Sequence, residues 1–520
     1  YDKPAAIRHV TKSKGNINDH GVPWFFITIG RIRKNTRSGN ISKKTGGVMK
    51  AMLILAIVGF NYFVGIFYGI VNVLYTVLVS IASISVPFHI RKTKYAPLRE
   101  NASSTVTSPV SVLIPAFNEG EILFRTIQST LDLNFPDSET IVINDGSTDN
   151  TLDLLIDRYN LRKIDLVYRN ILKTEPVRGF YYTKDIPNLL VIDKERGGKS
   201  DALNCGVNAS RSPYICSVDA DTIMEPDSLL RLMTAVMESP DPVVACGGVV
   251  RVMNGIEIEN NRITKIALPR KAIGIFQIVE YLRGFLFGRV GLDTIRGTMI
   301  LSGAFSMFQK QVIVDVGGFD PNNVCEDMEI VVRIHKQQRL QKKPYSVRFI
   351  TDPICWTEVP ETLRQLARQR RRWHLGLIQT MMKYKTMLFN PRYGRVGVLI
   401  MPYYFFAEML SPLVEVFGYA AMIGAFVGGI ISLKFFILFL FVAVFYGIFL
   451  SLASIFLEEM TYKRYPAWEH LFTLILFGVL ENFGYRQINS FWRFQAFLQY
   501  IFGESKWEYH RQEENVVDAA

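Results

Sequence analysis

The stretch Tyr214-Ile-Cys-Ser-Val-Asp219-Ala-Asp221 decides how this chain is read. Its first residues are apolar or small and read as a buried strand, and two carboxylates follow at the strand's C-terminal end. In open α/β sheets ligands bind beyond the carboxyl ends of the strands. Two hard oxygen donors placed there can hold Mg²⁺ or Mn²⁺ against a diphosphate. The plainer alternative is a polar turn capping a helix that starts near Pro226. An isolated D-x-D cannot decide between the two.

The upstream sequence supplies the missing weight. Val110-Ser-Val-Leu-Ile-Pro115 reads as a strand, and residues 119–133 as a helix with Ile122, Thr126, Ile127 and Leu131 on one side. Thr140-Ile-Val-Ile-Asn144 is a second strand, and Asp145-Gly-Ser-Thr-Asp149 caps a helix running to about Tyr159. Strands near 164–168, 188–193 and 214–218 and helices at 198–210 and 226–239 continue the alternation. The pattern predicts an α/β, nucleotide-binding-like, mainly parallel sheet with right-handed crossovers. No G-x-G-x-x-G or P-loop sequence is present.

Each strand end carries a polar feature. Pro115-Ala116-Phe-Asn118-Glu119 follows the first strand and Asp145-Gly146-Ser147 the second. Arg196-Gly-Gly-Lys199-Ser-Asp201 opens the third helix, and Asp219-Ala-Asp221 closes its strand. One such feature is a loop, but four on one sheet edge describe a site. Lys199 can meet a phosphate there, and Asp145 can accept hydrogen bonds from a base or ribose.

Further on, residues 299–307 (Met-Ile-Leu-Ser-Gly-Ala-Phe-Ser-Met) read as a strand, with Gly303 where a backbone must come near something. Glu326, Asp327 and Glu329 begin a helix, where carboxylates also suit the macrodipole. After Pro360, residues 361–395 read as amphipathic interface helices. Leu363, Leu366, Trp373 and Leu377 recur at helical intervals, with Arg364, Arg368, Arg370 and Arg371 spread over the remaining surface, a pattern suited to a membrane surface. Gln369, Arg372 and Trp373 share one face.

Composition frames this core. The 520 residues are 49% hydrophobic with a net charge of +12, and eleven Lys/Arg fall by Lys50. Basic excess beside long apolar runs favours a membrane over nucleic acid, for which no recognition module is evident. The five cysteines show neither zinc spacing nor an even disulfide count. Residues 1–47 read as a basic tail with a small apolar island at 24–29. Residues 48–90 read as transmembrane, either one tilted span near 60–87, which is preferred, or a tight hairpin. Residues 105–360 form the soluble α/β domain, 396–502 about three spans (398–427, 433–457 and 467–487), and 503–520 a polar tail. Glu408 and Glu415 within the first of these spans predict a broken helix along a polar path. Arg91, Lys92, Lys463 and Arg464 place the catalytic domain on the cytoplasmic side.

Taken in order, these motifs resemble those of the processive family 2 glycosyltransferases, the membrane synthases of cellulose, chitin, hyaluronan and poly-N-acetylglucosamine. The marks are Asp145 in a D-G-S turn, Asp219-Ala-Asp221, the Glu326-Asp327 pair and Gln369-Arg-Arg-Arg372-Trp373 as Q-x-x-R-W. The resemblance is strong over about 108–375 and extends to the flanking spans by arrangement. It implies a GT-A fold and an inverting, metal-dependent hexosyltransferase in a bacterial-type plasma membrane. Ala116, Asn118, Glu119, Asp145, Lys199, Asp219 and Asp221 would bind the donor, with Asp145 and Lys199 at the uridine end. Asp219 and Asp221, the latter closer, would hold Mg²⁺ or Mn²⁺. Asp327 would be the general base; Gly303, Glu326, Gln369, Arg372 and Trp373 would sit where diphosphate and acceptor meet. Cys325 departs from relatives that carry Thr before the acidic pair.

The implied partners are a UDP-sugar (UDP-N-acetylglucosamine or UDP-glucose), a glycan acceptor and the lipid bilayer, with no nucleic acid and with room for accessory export proteins. The expected reaction extends a β-linked polysaccharide and translocates it. The alternative is a non-processive transferase acting once on a lipid acceptor, against which Q-x-x-R-W argues. A catalytically dead scaffold is the third reading, and the intact Asp221, Asp327 and Arg372 oppose it.

Overall fold

Residues 110–116 are apolar on both faces of the strand, the composition of a strand covered on both sides. In the computed structural model, which describes residues 41–94, 107–259, 262–465 and 467–503, this segment is β1 (Val110–Ala116), and all but Pro115 are buried. The strands that follow are β2 (Ser138–Asp145), β3 (Arg162–Ile164), β4 (Val177–Tyr182), β5 (Leu189–Lys194), β6 (Tyr214–Val218), β7 (Thr222–Met224) and β8 (Val243–Val252). The short hairpin β9 (Glu257–Glu259) and β10 (Arg262–Lys265) stands apart from the main sheet, which is completed by β11 (Phe305–Gln309) and β12 (Ser346–Thr357). Expectations for residues 1–40, including the island at 24–29, and for 504–520 lie outside the described residues.

The ten-stranded sheet has the order β3-β4-β5-β2-β1-β6-β11-β8-β12-β7. Its nucleotide-binding-like part, β5-β2-β1-β6, is parallel throughout, so the C-terminal ends of these strands share one edge. Beyond it, β11 runs antiparallel to both β6 and β8, while β8 and β12 are parallel. The result is an α/β GT-A-type sheet with antiparallel extensions. The strand expected over 299–307 begins only at Phe305, because residues 302–304 form a turn that brings the Gly303 amide to Asp327. The edge strand expected near 164–168 ends at Ile164.

Among the described residues three helices are long and apolar enough to cross a membrane. The first lies within one uninterrupted helix, Ile41–Lys94, with its apolar span at Ala51–Phe88. The second, Val396–Val427, is wound as π-helix over Val396–Ile400 and Tyr403–Met409 before the regular turns of Ser411–Val427. Such π segments gather at functional positions, and Glu408 lies inside one. The third is Leu433–Thr461. The expected span at 467–487 is instead two pieces, Trp468–Leu480 and the helix Tyr485–Ile501. The break has a cause: Glu481 is fully buried against Arg283 and Ser451, and Gly484 sits at φ 109°.

Ion pairs join the helices to the sheet. Arg251 of β8 and Glu458 of the third span, both almost fully buried, lie 2.9 Å apart. Removing one partner of such a pair strands a buried charge, at a cost of about 3–5 kcal/mol. Arg464, in the loop after that span, pairs with Glu225 at 3.2 Å. The basic loop therefore lies on the same side as the α/β domain.

Candidate active site

The parallel strands end at a cavity of about 1370 Å³. At its floor, Asp145 closes β2. Its Oδ1 accepts from Lys194 Nζ at 2.7 Å and from the Gly197 amide at 3.0 Å, and its Oδ2 from the Gly198 amide at 2.7 Å. Gly198 holds φ 89°, which a side chain rarely adopts. The carboxylate that the sequence assigns to uridine is thus already engaged in shaping the Gly-Gly loop. Lys194, unpredicted and fully buried, also reaches Asp201 at 2.6 Å. Burial works against its ammonium, but the hydrogen bonds it donates to Asp145 and Asp201 outweigh this and hold its pKa above the ordinary value.

Asn118 adopts the left-handed conformation at φ 56°, and its amide is engaged by the neighbouring turn. Oδ1 accepts from the Thr148 amide at 2.8 Å and Nδ2 donates to Thr148 Oγ1 at 3.1 Å. It ties two strand-end loops together, while Ala116 and Glu119 line the cavity. Burial, then the charges of Asp221 and Asp219, push the Glu119 carboxyl up to about 7.

Lys199 does not stand free for a phosphate. Its Nζ bridges Asp219 Oδ1 at 2.5 Å and Glu326 Oε1 at 3.0 Å, and these charges hold the ammonium against its burial. Asp221 Oδ1 accepts from Thr357 Oγ1 at 3.1 Å, and burial together with Asp219 pushes its pKa up to about 6. Across the cavity, Asp327 Oδ2 accepts from the Gly303 amide at 3.2 Å and Oδ1 from the Met328 amide at 2.8 Å. Burial and the adjacent Glu326 push its pKa up to about 6. A Cβ at Gly303 would lie 2.9 Å from Lys199 Nζ, so the close approach expected at this glycine is real.

The helix Leu363–Lys383 follows Pro360 and is capped by Thr362, whose Oγ1 accepts from the Gln365 amide. It carries Gln369, Arg372 and Trp373 into the cavity wall. Trp373 is 37% exposed, and the Arg372 guanidinium has no ion pair among the described residues. Arg370 is not on the outer surface as its spacing predicts. It is buried, bonded to Glu280 Oε2 at 2.7 Å and packed over the Trp373 ring at 4.4 Å. Tyr485 Oη donates to the same Glu280 oxygen at 3.0 Å. Glu280 carries no local signal, since its partners Arg370 and Tyr485 are distant in sequence, and Lys194 meets the distant Asp145 as well as the nearer Asp201.

Among the described residues no three His, Cys, Asp or Glu side chains form a ready-made metal cage. Asp219 and Asp221 nevertheless offer oxygen donors at one edge. The raised carboxyls of Asp221 and Glu119 mark a site short of positive charge, which suits a divalent cation completed by ligand oxygens.

The same cavity continues past Asp327 between the helices long and apolar enough to cross a membrane, where Tyr75, Tyr403, Glu408 and Glu415 line it. Glu408 Oε1 accepts from Tyr403 at 2.8 Å and Tyr75 at 3.1 Å, and Arg493 lies 3.7 Å from Oε2.

Comparison with known proteins places this geometry. Residues 111–171 match the family described as glycosyl transferase family 2, and residues 214–450 match glycosyl transferase family group 2. A poly-beta-1,6-N-acetyl-D-glucosamine synthase of Staphylococcus aureus is 28% identical over 270 residues, covering 51% of this chain and 54% of that protein. The synthase of the same name from Staphylococcus epidermidis is 26% identical over 272 residues, with coverages of 51% and 54%. The chain thus spans about half the length of the curated relatives it matches. Among solved structures, a mannosyltransferase of Pyrobaculum calidifontis in complex with GDP-Man and Mn²⁺ aligns with TM-score 0.46 and 18% identity, over 78% of this chain and 99% of that one. With its sequence matched on both sides of Asp145, Asp219, Asp221, Asp327 and the Gln369–Trp373 helix, the chain belongs to glycosyltransferase family 2.

Proposed function

We propose that this chain is a membrane-embedded, inverting glycosyltransferase that adds sugar from a UDP-sugar, UDP-N-acetylglucosamine or UDP-glucose, to the growing end of a β-linked polysaccharide and passes the product between its own membrane helices. The observation that carries this reading is the single cavity running from Asp145 and Asp221, past Asp327 and Trp373, to Glu408 and Glu415. A single-transfer enzyme has no use for a polar path leading away from its base into the bilayer.

In this reading the nucleotide lies over the edge formed by β1, β2, β5 and β6. Asp219 and Asp221 would hold Mg²⁺ or Mn²⁺, which neutralises charge on the departing diphosphate. Arg372 supplies a free guanidinium to the same phosphates, with a fork geometry suited to them. Trp373 offers a face to the acceptor's terminal sugar. Asp327 takes the proton from the acceptor hydroxyl as that oxygen attacks the anomeric carbon from the side opposite UDP. The bond from the anomeric carbon to the phosphate oxygen breaks, UDP leaves with the electron pair, and the configuration inverts. The Gly303 and Met328 amides hold the Asp327 carboxylate in place.

The test is UDP release from the detergent-purified full chain with single UDP-sugars and Mg²⁺ or Mn²⁺, with product sizing on the same samples. A high-mass glycan from one donor supports the proposal and names the sugar. UDP release with only a single-sugar lipid product would overturn it in favour of the non-processive alternative.

A further inference from the structure

We propose that Arg289 is an acceptor-binding residue that holds an oxygen of the growing chain's terminal sugar, a hydroxyl or an acetamido carbonyl, on the membrane side of Asp327. Arg289 ends a π-helical segment, Arg283–Arg289, and lines the same cavity as Asp327 and Trp373. Its guanidinium lies over the Phe285 ring at 4.1 Å, with Phe349 at 5.8 Å. Among the described residues the buried Nη1 has no hydrogen-bond partner and the side chain makes no ion pair.

Such a group is out of keeping with its surroundings. A buried donor left unmade is costly, and a cation more so. The other arginines on this cavity wall, apart from Arg372, each meet a partner, although the buried Arg370 Nε has none among the described residues. Arg283 meets Glu481, Arg370 meets Glu280, Arg486 meets Asn482 and Arg493 meets Glu408, and Arg196 packs over Phe117. Ring stacking fixes the plane of the Arg289 guanidinium and leaves its edge to donate. Beside it, Gly284 and Gly288 also line the cavity, and a Cβ at either would meet nothing, so there is room for a ring-sized ligand.

The ligand follows from position. The donor's phosphates belong to the sheet edge, where Asp219, Asp221 and Lys199 gather. Arg289 instead sits on a segment packed against the helices Ile41–Lys94 and Leu433–Thr461, within reach of the charge of Asp327. An oxygen-rich, uncharged sugar leaving the base toward the membrane passes this donor first.

The inference rests on the polymerising reading above, and the experiment separates the two. Full-length wild type, R289Q and R289K are compared for UDP affinity by calorimetry, for donor hydrolysis to free sugar, and for incorporation of sugar into glycan. Wild type that releases UDP but builds no glycan overturns the polymerising reading and this inference together. If wild type polymerises, R289Q is expected to lose about 10- to 100-fold in incorporation, the range for a hydrogen bond from a charged group. UDP affinity and hydrolysis should stay within about threefold of wild type, because water needs no positioning by Arg289. R289K, which keeps the charge but not the fork, should fall between. Incorporation by R289Q near the wild-type level overturns the inference, as does UDP affinity falling in step with incorporation, which would make Arg289 a diphosphate ligand. Should R289Q fail to bind UDP at all through misfolding, R289K decides by the same ratio of incorporation to hydrolysis.

Discussion

The two halves of the cavity are built on opposite electrostatic plans. At the sheet edge carboxylates crowd together without enough cations, and burial with mutual repulsion pushes Glu119 up to about 7 and Asp221 and Asp327 each up to about 6. In the membrane half, Arg289 apart, the charges are met locally: Glu408 by Arg493, Tyr75 and Tyr403, Glu481 by Arg283 and Ser451, and Glu415 by Ser411 and Ser490. A region left unbalanced awaits a charged ligand, whereas a balanced one can let a neutral chain slide without gripping it. The membrane half also keeps its ionisable groups tolerable in a low-dielectric setting.

The sharpest way to break this comparison is at Asp327, the base of the proposed mechanism. Asp327→Asn should lower transfer by about 10³–10⁴-fold, near the upper range for general-base removal, while UDP binding measured by calorimetry is unchanged. The same carboxyl sets an acidic limb. It works only when ionised, so activity should fall about tenfold per unit as pH drops below about 6. Burial is the larger cause of that shift and the Glu326 charge the next, so Glu326→Gln should move the limb to lower pH. The sign for stability is opposite. A carboxyl raised in the folded state favours folding fully below its unfolded pKa, and that contribution is lost as pH rises through about 6. A limb that stays put in Glu326→Gln would mean another group titrates.

Next in size is the charge deficit itself. Asp221→Asn should remove several kcal/mol of transition-state stabilisation, about a hundredfold or more in rate, and should abolish any dependence of UDP release on Mn²⁺ concentration. Unchanged metal dependence would place the cation elsewhere. Gly303→Ala comes below it. The added methyl would crowd Lys199 Nζ at 2.9 Å, with Glu326 Oε1 in ordinary contact, and displacement of the bridge should lower kcat/KM by about 10- to 100-fold, the scale of an ångström-size misplacement.

The comparison also explains what the sequence made legible. Strands β1, β2, β5 and β6 read clearly because buried parallel strands are apolar runs ended by turn residues, and their ends carry the motifs. Strand β8 contains Gly247, Gly248 and Arg251, and β12 contains Arg348, Asp352 and Pro353, so neither looks like a buried strand. Arg251 is buried only because Glu458, 207 residues away, meets it. Arg370 is turned inward by Glu280 in the same manner, though a helical wheel leaves it outside. Local pattern reveals which face is apolar; it carries no record of which distant charge neutralises a buried one. The broken path around Glu408 was legible for the converse reason, since a carboxylate in an apolar run demands a partner wherever it is.

The smallest expected effect tests the balanced half. Glu408→Gln keeps the shape and the hydrogen bonds to Tyr75 and Tyr403 but removes the charge facing Arg493. The proposed mechanism puts the chemistry at Asp327, so UDP release should remain within about threefold, under about 1 kcal/mol on the barrier. The uncompensated Arg493 would then offer a strong donor to passing sugar oxygens, and the product should shorten as the chain is held. Arg493 also donates from Nε to His374 Nδ1 at 3.3 Å, next to Trp373, so loss of Glu408 could equally pull on the acceptor helix. Product sizing separates the two: a tethered chain gives shorter glycan at a near-normal initial rate, whereas a displaced Trp373 lowers the rate itself. A large fall in initial UDP release would show that the membrane half positions the acceptor as well as conducting it, and the division between the two halves would not hold.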